Sequence, residues 1–249
     1  MVNQFSRTEL LYGSEAMEKL KRARVAVFGI GGVGGYTVEA LVRSGIGTVD
    51  IVDNDTVSLT NLNRQIIALH STVGQSKVAV MKRRIADINP DCTVNTYELF
   101  FSEDTQAQFD FSQFDYVVDA IDSVKSKLLL AEICSAQGVP LIASMGTGNK
   151  CDPTQFEIAD IAKTSYDPLA RVMRRELAKR GIKHLTVVYS KEKPVITNKV
   201  KVAQLLEEEG GGKRTLPASN AFVPSAAGLI IASKVINDIT KGQYGKRTQ

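Results

Sequence analysis

The glycine-rich sequence Gly29-Ile-Gly-Gly-Val-Gly34 constrains the fold of this chain more than any other feature. It follows a run of β-branched and aromatic residues at 24–28 and precedes a helical pattern at 33–44. Glycines in this arrangement permit a tight strand-to-helix turn and allow backbone N–H groups to approach phosphate oxygens. Asp53 ends the next predicted strand, where a carboxylate can accept hydrogen bonds from ribose hydroxyls. The pattern predicts a βαβ unit that binds a nucleotide, and it leaves NAD, FAD and ATP open.

Strands and helices continue to alternate through the first 150 residues. After the βαβ unit, the hydrophobic patterns predict helices at 76–88 and 124–137 and strands at 92–99, 115–120 and 139–144. Such alternation is typical of parallel sheets whose strands are connected by helices. We therefore predict an α/β fold: a Rossmann-like, mostly parallel sheet with helices on both faces.

The pattern changes after Gly146. Four further elements are predicted, namely strands at 156–161 and 185–190 and helices at 168–180 and 224–240. The charged, glycine-rich sequence at 207–213 predicts a mobile loop near 199–217. We divide the chain into a nucleotide-binding core at 1–146 and a small C-terminal α+β extension at 147–249 that continues the same sheet.

The composition excludes several classes of protein. Hydrophobic residues make up 43% of the chain and charged residues 23%, which is ordinary for a folded globular protein and excludes overall disorder. The three cysteines are widely separated, which argues against a disulfide framework and against a CxxC zinc site. The first 20 residues lack a signal-peptide pattern, and the most apolar stretch is broken by Pro224 and Lys234. We expect a cytoplasmic protein without a membrane span.

Charged residues after Asp53 distinguish among the nucleotides. The sequence continues through Asp55, Asn61 and Asn63 to Arg64-Gln65, and Lys77 follows 13 residues after Arg64. A triphosphate carries several negative charges, and its cleavage requires fixed cations plus magnesium. Arg64 offers a bidentate fork and Lys77 a mobile point charge. Together these residues favour ATP.

Two acids, Asp119 and Asp122, follow the fourth predicted strand. Open α/β sheets bind their ligands at the carboxyl ends of the strands, so both acids are placed at the predicted site. Magnesium prefers oxygen ligands, and either carboxylate could supply one. The sequence leaves open which of the two binds the metal.

These elements, in this order and at this spacing, resemble the ubiquitin-activating-enzyme superfamily, whose bacterial members activate sulfur-carrier proteins. The resemblance covers about residues 5–146. It implies an ATP-dependent, AMP-forming enzyme in which ATP adenylates a carboxylate and pyrophosphate leaves. It also implies a homodimer, in which Arg7 of one subunit reaches into the site of the other.

The resemblance assigns roles to individual residues. Those implied to act in catalysis are Arg64, Lys77, Asp122 and Arg7, with Asp122 as the ligand of the Mg²⁺ ion that accompanies ATP. Those implied to bind ATP are Gly29, Gly31, Gly32, Gly34, Asp53, Asp55, Asn61, Asn63, Arg64, Gln65, Lys77 and Asp119. Whether a monovalent cation also binds stays open.

Two features separate this chain from the activators of sulfur carriers. It lacks their paired CxxC motifs, and Cys151 is the one thiol after the fifth predicted strand. The segment 144–171 instead resembles the branch of the superfamily that dehydrates threonylcarbamoyladenosine in tRNA. In that branch ATP activates the free carboxylate of the threonylcarbamoyl group, and ring closure then expels AMP. The nucleophile belongs to the substrate, so this reaction needs no enzyme cysteine.

A tRNA substrate should leave a basic surface on the protein. Arg171, Arg174 and Arg175 are spaced i, i+3 and i+4 on a predicted helix, so they share one face. We predict that they contact phosphates in the anticodon region of tRNA. The alternative is a solvated helix face that binds nothing.

Two other functions stay open. An adenylating activator of the C-terminus of a sulfur-carrier or ubiquitin-like protein would require a productive cysteine and a groove for the carrier. An NAD-linked oxidoreductase would bind nicotinamide and would be indifferent to Arg64 and Lys77. A sulfur-relay protein is a further candidate partner of an adenylating enzyme.

Overall fold

One mixed sheet organises the computed structural model, which describes residues 2–208 and 217–242. Within that part of the chain the strands are β1 (Arg24–Phe28), β2 (Thr48–Val52), β3 (Thr93–Tyr97), β4 (Tyr116–Asp119), β5 (Leu141–Ser144), β6 (Phe156–Asp160) and β7 (Thr186–Ser190). They lie in the order β3-β2-β1-β4-β5-β7-β6. Each neighbouring pair is parallel except β6 and β7, which are antiparallel.

Helices cover both faces of this sheet. The described residues form α1 (Ser6–Tyr12), α2 (Ser14–Arg22), α3 (Gly34–Arg43), α4 (Lys77–Ile88), α5 (Val124–Gln137), α6 (Pro168–Lys179), α7 (Lys199–Glu208) and α8 (Val223–Ile239). None of these helices is both long enough and apolar enough to cross a membrane.

The pattern of β1 explains why the sheet needs two layers of helices. Val25 and Val27 belong to one hydrophobic core, together with residues of α3 and α8, whereas Ala26 and Phe28 belong to another, with residues of α5. Alternate side chains of a strand point to opposite faces, so a strand that is apolar at every position is buried on both. The predicted Rossmann-like α/β fold is confirmed.

The side of the sheet to which new strands are added changes between the parallel neighbours β1 and β4. From β1 the chain continues to β2 and β3 on one side, whereas from β4 it continues to β5 and β7 on the other. In a parallel sheet such a reversal opens a crevice at the carboxyl ends of the two strands, and ligands bind there. The glycine-rich turn follows β1 and Asp122 follows β4, so both lie at this edge.

The C-terminal part of the chain extends the sheet and packs on its core. β7 pairs with β5, and β6 pairs with β7. On the α3 side, Thr37 Oγ1 donates to the carbonyl oxygen of Gly228 in α8 at 3.1 Å. A Cβ atom at Gly228 would lie 2.4 Å from the oxygen of Val33, so this helix pair requires glycine there. Strands from both parts share one sheet, so the sheet itself marks no boundary at residue 146. The division there stays a prediction.

Two local features differ from the sequence prediction. α1 and α2 precede β1, where no helix was predicted. The mobile loop predicted near 199–217 begins as a helix, α7, because 199–208 is rich in residues that favour helices, such as Lys, Leu, Gln and Glu. The remainder of that prediction, at 209–216, lies outside the described residues.

Candidate nucleotide-binding site

The turn between β1 and α3 brings backbone atoms too close together for any side chain at two of its glycines. A Cβ atom at Gly34 would lie 1.8 Å from the oxygen of Gly29. A Cβ atom at Gly29, whose φ is +91°, would lie 2.6 Å from the oxygen of Ala120 after β4. These two glycines therefore fix the approach of the strand and the helix. Gly31 differs, because the nearest atom to its Cβ position is Gln65 Nε2 at 3.9 Å.

This difference gives a test of the turn. We expect Gly34→Ala to destabilise the protein by more than about 3 kcal/mol, because backbone must move to admit the new methyl group, and to lower Tm by about 10 °C. Gly31→Ala should keep Tm within about 2 °C, because its methyl group meets only an ordinary contact. Thermal unfolding by circular dichroism measures both. An equal loss of Tm in the two variants would contradict this account of the turn.

Asp53 ties the turn to the end of β2. Its Oδ2 accepts the N–H of Ile30 at 2.6 Å, and its Oδ1 accepts the N–H of Asp55 at 2.9 Å. Burial raises the pKa of Asp53, and the nearby ammonium of Lys77 opposes that rise. The carboxylate thus holds the glycine-rich turn against the end of β2.

Lys77 places a buried positive charge beside this turn. It is the first residue of α4, it is 5% exposed, and it lines the cavity described below. Its Nζ lies 2.8 Å from Asp55 Oδ2 and 3.7 Å from Asp53 Oδ1. Two carboxylates therefore hold the ammonium in one position, as a fixed cation in a phosphate site requires.

Arg64 and Gln65 lie on the other side of the turn. Arg64 Nη1 donates to Thr60 O at 2.9 Å and to Asn63 Oδ1 at 2.8 Å, so the guanidinium is partly fixed by its own segment. Gln65 is buried, and within the described residues its Oε1 has no hydrogen-bond partner. Buried polar atoms are costly without a partner, so a polar ligand in the cavity would fit this position.

One cavity of about 670 Å³ joins these groups. The predicted site residues that line it are Gly29, Gly31, Gly32, Asp53, Asp55, Asn61, Arg64, Gln65, Lys77 and Asp122. Those that do not line it are Arg7, Gly34, Asn63, Asp119, Arg171, Arg174 and Arg175. The fold thus brings most of the predicted nucleotide-binding residues to one crevice at the carboxyl edge of the sheet. Asn63 supports its wall indirectly, since Asn63 Nδ2 donates at 3.0 Å to the backbone oxygen of Ser219, which lines the cavity.

The two acids at the carboxyl end of β4 have different environments. Asp119 is 1% exposed, and its Oδ1 lies 3.0 Å from Lys127 Nζ and accepts the N–H of Ile121 at 3.1 Å. This carboxylate is enclosed and paired with Lys127, and it does not line the cavity. Its position therefore does not match the prediction that Asp119 binds ATP. Asp122 is exposed and lines the cavity. Of the two, Asp122 is therefore the carboxylate available to a ligand.

The donor set around Asp122 fits magnesium rather than a metal held by protein alone. Among the described residues, no group of three His, Cys, Asp or Glu side chains could hold a metal ion. Mg²⁺ usually binds through one or two carboxylates, substrate phosphates and water. Asp122, which lines the same cavity as the glycine-rich turn, matches that pattern.

Two of the three arginines predicted to contact tRNA on α6, Arg174 and Arg175, have partners within the protein. Arg174 Nη1 donates to Thr164 Oγ1 at 2.6 Å and to Thr164 O at 3.1 Å, so this residue ties α6 to the segment before it. Arg175 pairs with Glu176 at 2.9 Å. Arg174 was predicted to contact tRNA phosphates. In the structure its Nη1 instead donates hydrogen bonds within the protein. The exposed residues Arg171 and Arg175 stay predicted contacts of tRNA.

Sequence reasoning missed two buried ion pairs near the cavity. Lys127 on α5 pairs with Asp119 and also donates to Ser144 O at 2.8 Å. Lys150 pairs with Asp167, and both of these residues line the cavity. Asp167-Pro168 is recognisable as a helix start, and Asp167 indeed caps α6. No local pattern marks either lysine as buried, because each partner lies in a different element of the fold.

Comparisons with known proteins agree with this geometry. The model of the ThiF family matches residues 5–242. The chain is 48% identical to the tRNA threonylcarbamoyladenosine dehydratase of Bacillus subtilis (strain 168) over 252 residues, which cover 100% of this chain and 99% of the relative. It is also similar to solved structures of E. coli tRNA N6-threonylcarbamoyladenosine dehydratase in complex with ATP and with AMP. Each has a TM-score of 0.84 and 35% sequence identity, and each match covers 96% of this chain and 94% of the other.

Proposed function

Since this chain belongs to the ThiF family, we propose that it is an ATP-dependent tRNA-modifying enzyme. Its substrate is tRNA that carries threonylcarbamoyladenosine beside the anticodon. It adenylates the free carboxylate of the threonylcarbamoyl group and then closes a ring on the activated carbon. The products are the cyclic nucleoside in tRNA, AMP and pyrophosphate, so the nucleoside loses one water overall.

One observation carries this proposal: the glycine-rich turn and segments from the C-terminal part of the chain line the same cavity. The glycine-rich turn, Arg64 and Lys77 line one side, and segments from the C-terminal part of the chain line the other. A dinucleotide needs little beyond the glycine turn, whereas adenylation needs fixed cations and room for an acceptor. The relative with 48% identity over the whole chain carries the name of this activity.

The side chains divide the work of the first step. An oxygen of the acceptor carboxylate attacks the α-phosphate of ATP, and the bond to pyrophosphate breaks. Arg64 and Lys77 stabilise negative charge that develops on the phosphates, and backbone N–H groups of the turn face the same oxygens. Asp53 orients the ribose. In the second step a nucleophile within the substrate attacks the activated carbon, and AMP departs with one former carboxylate oxygen.

Asp122 would hold the Mg²⁺ ion, which neutralises charge on the phosphates when it is bound. We expect Asp122→Ala to reduce the rate of pyrophosphate release about a hundredfold at millimolar Mg²⁺, because a metal ligand is lost. The exposed side chain makes little contribution to folding, so Tm should stay within about 2 °C of the wild type. A rate series over Mg²⁺ concentration measures the effect. An unchanged magnesium dependence in Asp122→Ala would exclude this ligand.

The function itself is tested by pyrophosphate release from ATP and Mg²⁺. The two substrates are tRNA that carries threonylcarbamoyladenosine and the unmodified transcript of the same tRNA. Release with the modified tRNA alone, together with the loss of one water from its digested nucleoside by mass spectrometry, is the expected result. No release with either RNA, while ATP still binds, would contradict the proposal and direct attention to carrier proteins.

The environment of Cys151 favours this reaction over activation of a carrier protein. Cys151 is exposed but does not line the cavity, and its backbone N–H donates to the Glu192 carboxylate. Burial raises the pKa of Cys92 to about 11 and that of Cys134 to about 12, so neither is a ready thiolate. A reaction whose nucleophile is in the substrate requires none of these thiols.

The proposal includes the partners of the enzyme. It is a homodimer in which Arg7, exposed on α1 and outside its own cavity, contributes to the cavity of the partner. The anticodon region of tRNA contacts Arg171 and Arg175 on α6. Light scattering of the purified protein tests the dimer, and the salt dependence of tRNA binding tests the basic contacts.

A further inference from the structure

The cavity is lined by residues from different parts of the chain. The glycine-rich turn, Asp53, Arg64 and Lys77 line the half proposed to hold ATP. A second group of lining residues comes from the chain after β5, at 145–150, 167–169, Pro194, Pro217 and Ser219. We call this second region the acceptor half. Its walls are formed by separate segments of the C-terminal part of the chain, so its shape depends on what holds these segments together.

A fully buried ion pair lies in the wall of the acceptor half. Lys150 Nζ is 2.9 Å from Asp167 Oδ2, and the two side chains are 1% and 0% exposed. The same Nζ donates to Gly146 O at 2.5 Å. Removing two charges from water offsets most of their mutual attraction, so apolar residues of similar size would stabilise this position equally well. The location of the pair at a cavity therefore points to a role beyond stability.

Lys150 connects three segments of the acceptor half. Its side chain closes the 146–150 loop on Gly146 and holds Asp167, and Asp167 Oδ1 accepts the N–H of Ala170 at the start of α6. Its backbone oxygen accepts a hydrogen bond from Asn220 Nδ2 at 2.9 Å. One residue thus fixes the loop after β5, the start of α6 and the segment before α8 relative to one another.

The neighbouring residue Asn149 reinforces the same junction. The backbone N–H of Asn149 donates to Ala218 O at 2.8 Å, and its side-chain Oδ1 accepts the N–H of Ala218 at 2.8 Å. The backbone oxygen of Asn149 also accepts the N–H of Val195 at 2.7 Å. A Cβ atom at Gly148 would lie 2.6 Å from Pro217, so the loop and this segment are in direct contact. The walls of the acceptor half are therefore ordered by contacts that converge on residues 148–150.

We propose that the Lys150–Asp167 pair positions the acceptor: it fixes the walls that present the carboxylate-bearing nucleoside of tRNA to the α-phosphate of ATP. This inference rests on the proposed function. Attack at phosphorus requires reacting atoms about 3–3.5 Å apart and aligned, and a displacement of 1 Å costs about a hundredfold in rate. The residues proposed to bind ATP line the other half. Loosening the acceptor half should thus impair use of the tRNA and leave ATP binding intact.

The test compares Lys150→Met, Asp167→Asn and the double variant. Each single variant leaves one buried charge without its partner, so each should have a lower Tm than the wild type. The double variant removes both charges and retains an N-cap for α6, because asparagine caps helices as well as aspartate does. Its Tm should return close to that of the wild type. A double variant of an exposed ion pair on α2, Glu18→Gln with Arg22→Met, serves as the control for loss of an ion pair.

Three quantities are measured: Tm, the Kd of ATP by calorimetry, and kcat and KM for modified tRNA at saturating ATP. We expect the double variant to bind ATP within about threefold of the wild type, while kcat/KM for tRNA falls at least about tenfold, because the acceptor is misplaced. The control pair should match the wild type throughout. Wild-type kcat/KM in the double variant would overturn the inference, and so would a parallel loss of ATP affinity.

Two further outcomes keep the test decisive. Should the double variant fail to fold, Asp167→Asn assayed well below its Tm gives the same comparison, with the same split expected and the same results against it. Should the wild type form no AMP with modified tRNA, the proposed function fails and this inference fails with it. An active wild type beside an equally active double variant overturns this inference alone.

Discussion

Replacing Arg64 with alanine is expected to reduce pyrophosphate release by about 10²–10³-fold, which is the usual cost of losing one positioned donor to a developing negative charge. Arg64 lines the cavity beside the glycine-rich turn, and its hydrogen bonds to Thr60 and Asn63 hold the guanidinium in place before ATP arrives. A guanidinium that is already oriented stabilises the transition state without reorganisation. The measurement is kcat with modified tRNA at saturating ATP and Mg²⁺.

Two variants separate catalysis from folding in this experiment. Arg22→Ala on α2 removes an exposed arginine outside the cavity, and it should retain wild-type kcat and Tm. Arg64→Lys keeps the charge but loses the planar fork, so its rate should lie between those of the wild type and Arg64→Ala. Full activity in Arg64→Ala, with magnesium and tRNA at saturation, would remove Arg64 from the mechanism.

The largest expected effect on stability is at Lys127, which lies in the centre of the fold. Its Nζ donates to Asp119 Oδ1 at 3.0 Å and to Ser144 O at 2.8 Å, and both charged side chains are 1% exposed. Lys127→Met leaves Asp119 buried without its partner, which costs about 3–5 kcal/mol and lowers Tm by about 10 °C. The control is the double variant Lys127→Met with Asp119→Asn, which removes both charges and should recover most of the lost Tm.

The destabilisation of Lys127→Met should depend on pH. Burial raises the pKa of Asp119 above its ordinary 3.8 even in the presence of Lys127. Without the ammonium the pKa of the folded state rises further, so the folded protein binds a proton that the unfolded chain releases. Stability is then retained below the unfolded pKa and is lost as pH rises through the folded pKa. Denaturant unfolding at pH 5 and pH 8 should show the larger deficit at pH 8, and an equal deficit would exclude a buried carboxylate as its cause.

The predicted elements illustrate how much local pattern decides. The ranges of β1 and α5 were predicted to the residue, because an apolar run bounded by Arg24 and Gly29 and a helix closed by Gly138 have clear ends. The other strands of the sheet were predicted within about two residues, which is the normal uncertainty of strand and helix ends. The sequence had less to say about α7, because the loop predicted from the charged, glycine-rich sequence at 207–213 was extended back over 199–208, which is a helix.

The candidate site follows the same division. The glycine-rich turn and Asp53 directly follow β1 and β2, so their arrival at one crevice follows from the order of elements. Arg64 and Lys77, between β2 and the start of α4, line the same crevice. Asp119 and Asp122 are only three residues apart, and the pattern could not separate them. A partner from α5, Lys127, makes one a buried ion pair, and the other remains at the cavity. Likewise, the sequence predicted that Arg174 contacts phosphates, and only the folded structure shows that it donates a hydrogen bond to Thr164.

The sequence by itself determined the α/β fold and the nucleotide turn, because each depends on residue types at short spacing along the chain, and the class of chemistry came from the resemblance to a known family. Only the tertiary structure decided which charges are paired, which acid faces the cavity and which segments form the walls of the acceptor half. Those properties depend on contacts between residues distant in sequence, such as Lys150 with Asp167 and Asn149 with Ala218. Burial sets the cost of each charge, and no local pattern reports how deeply a side chain lies or what it meets there.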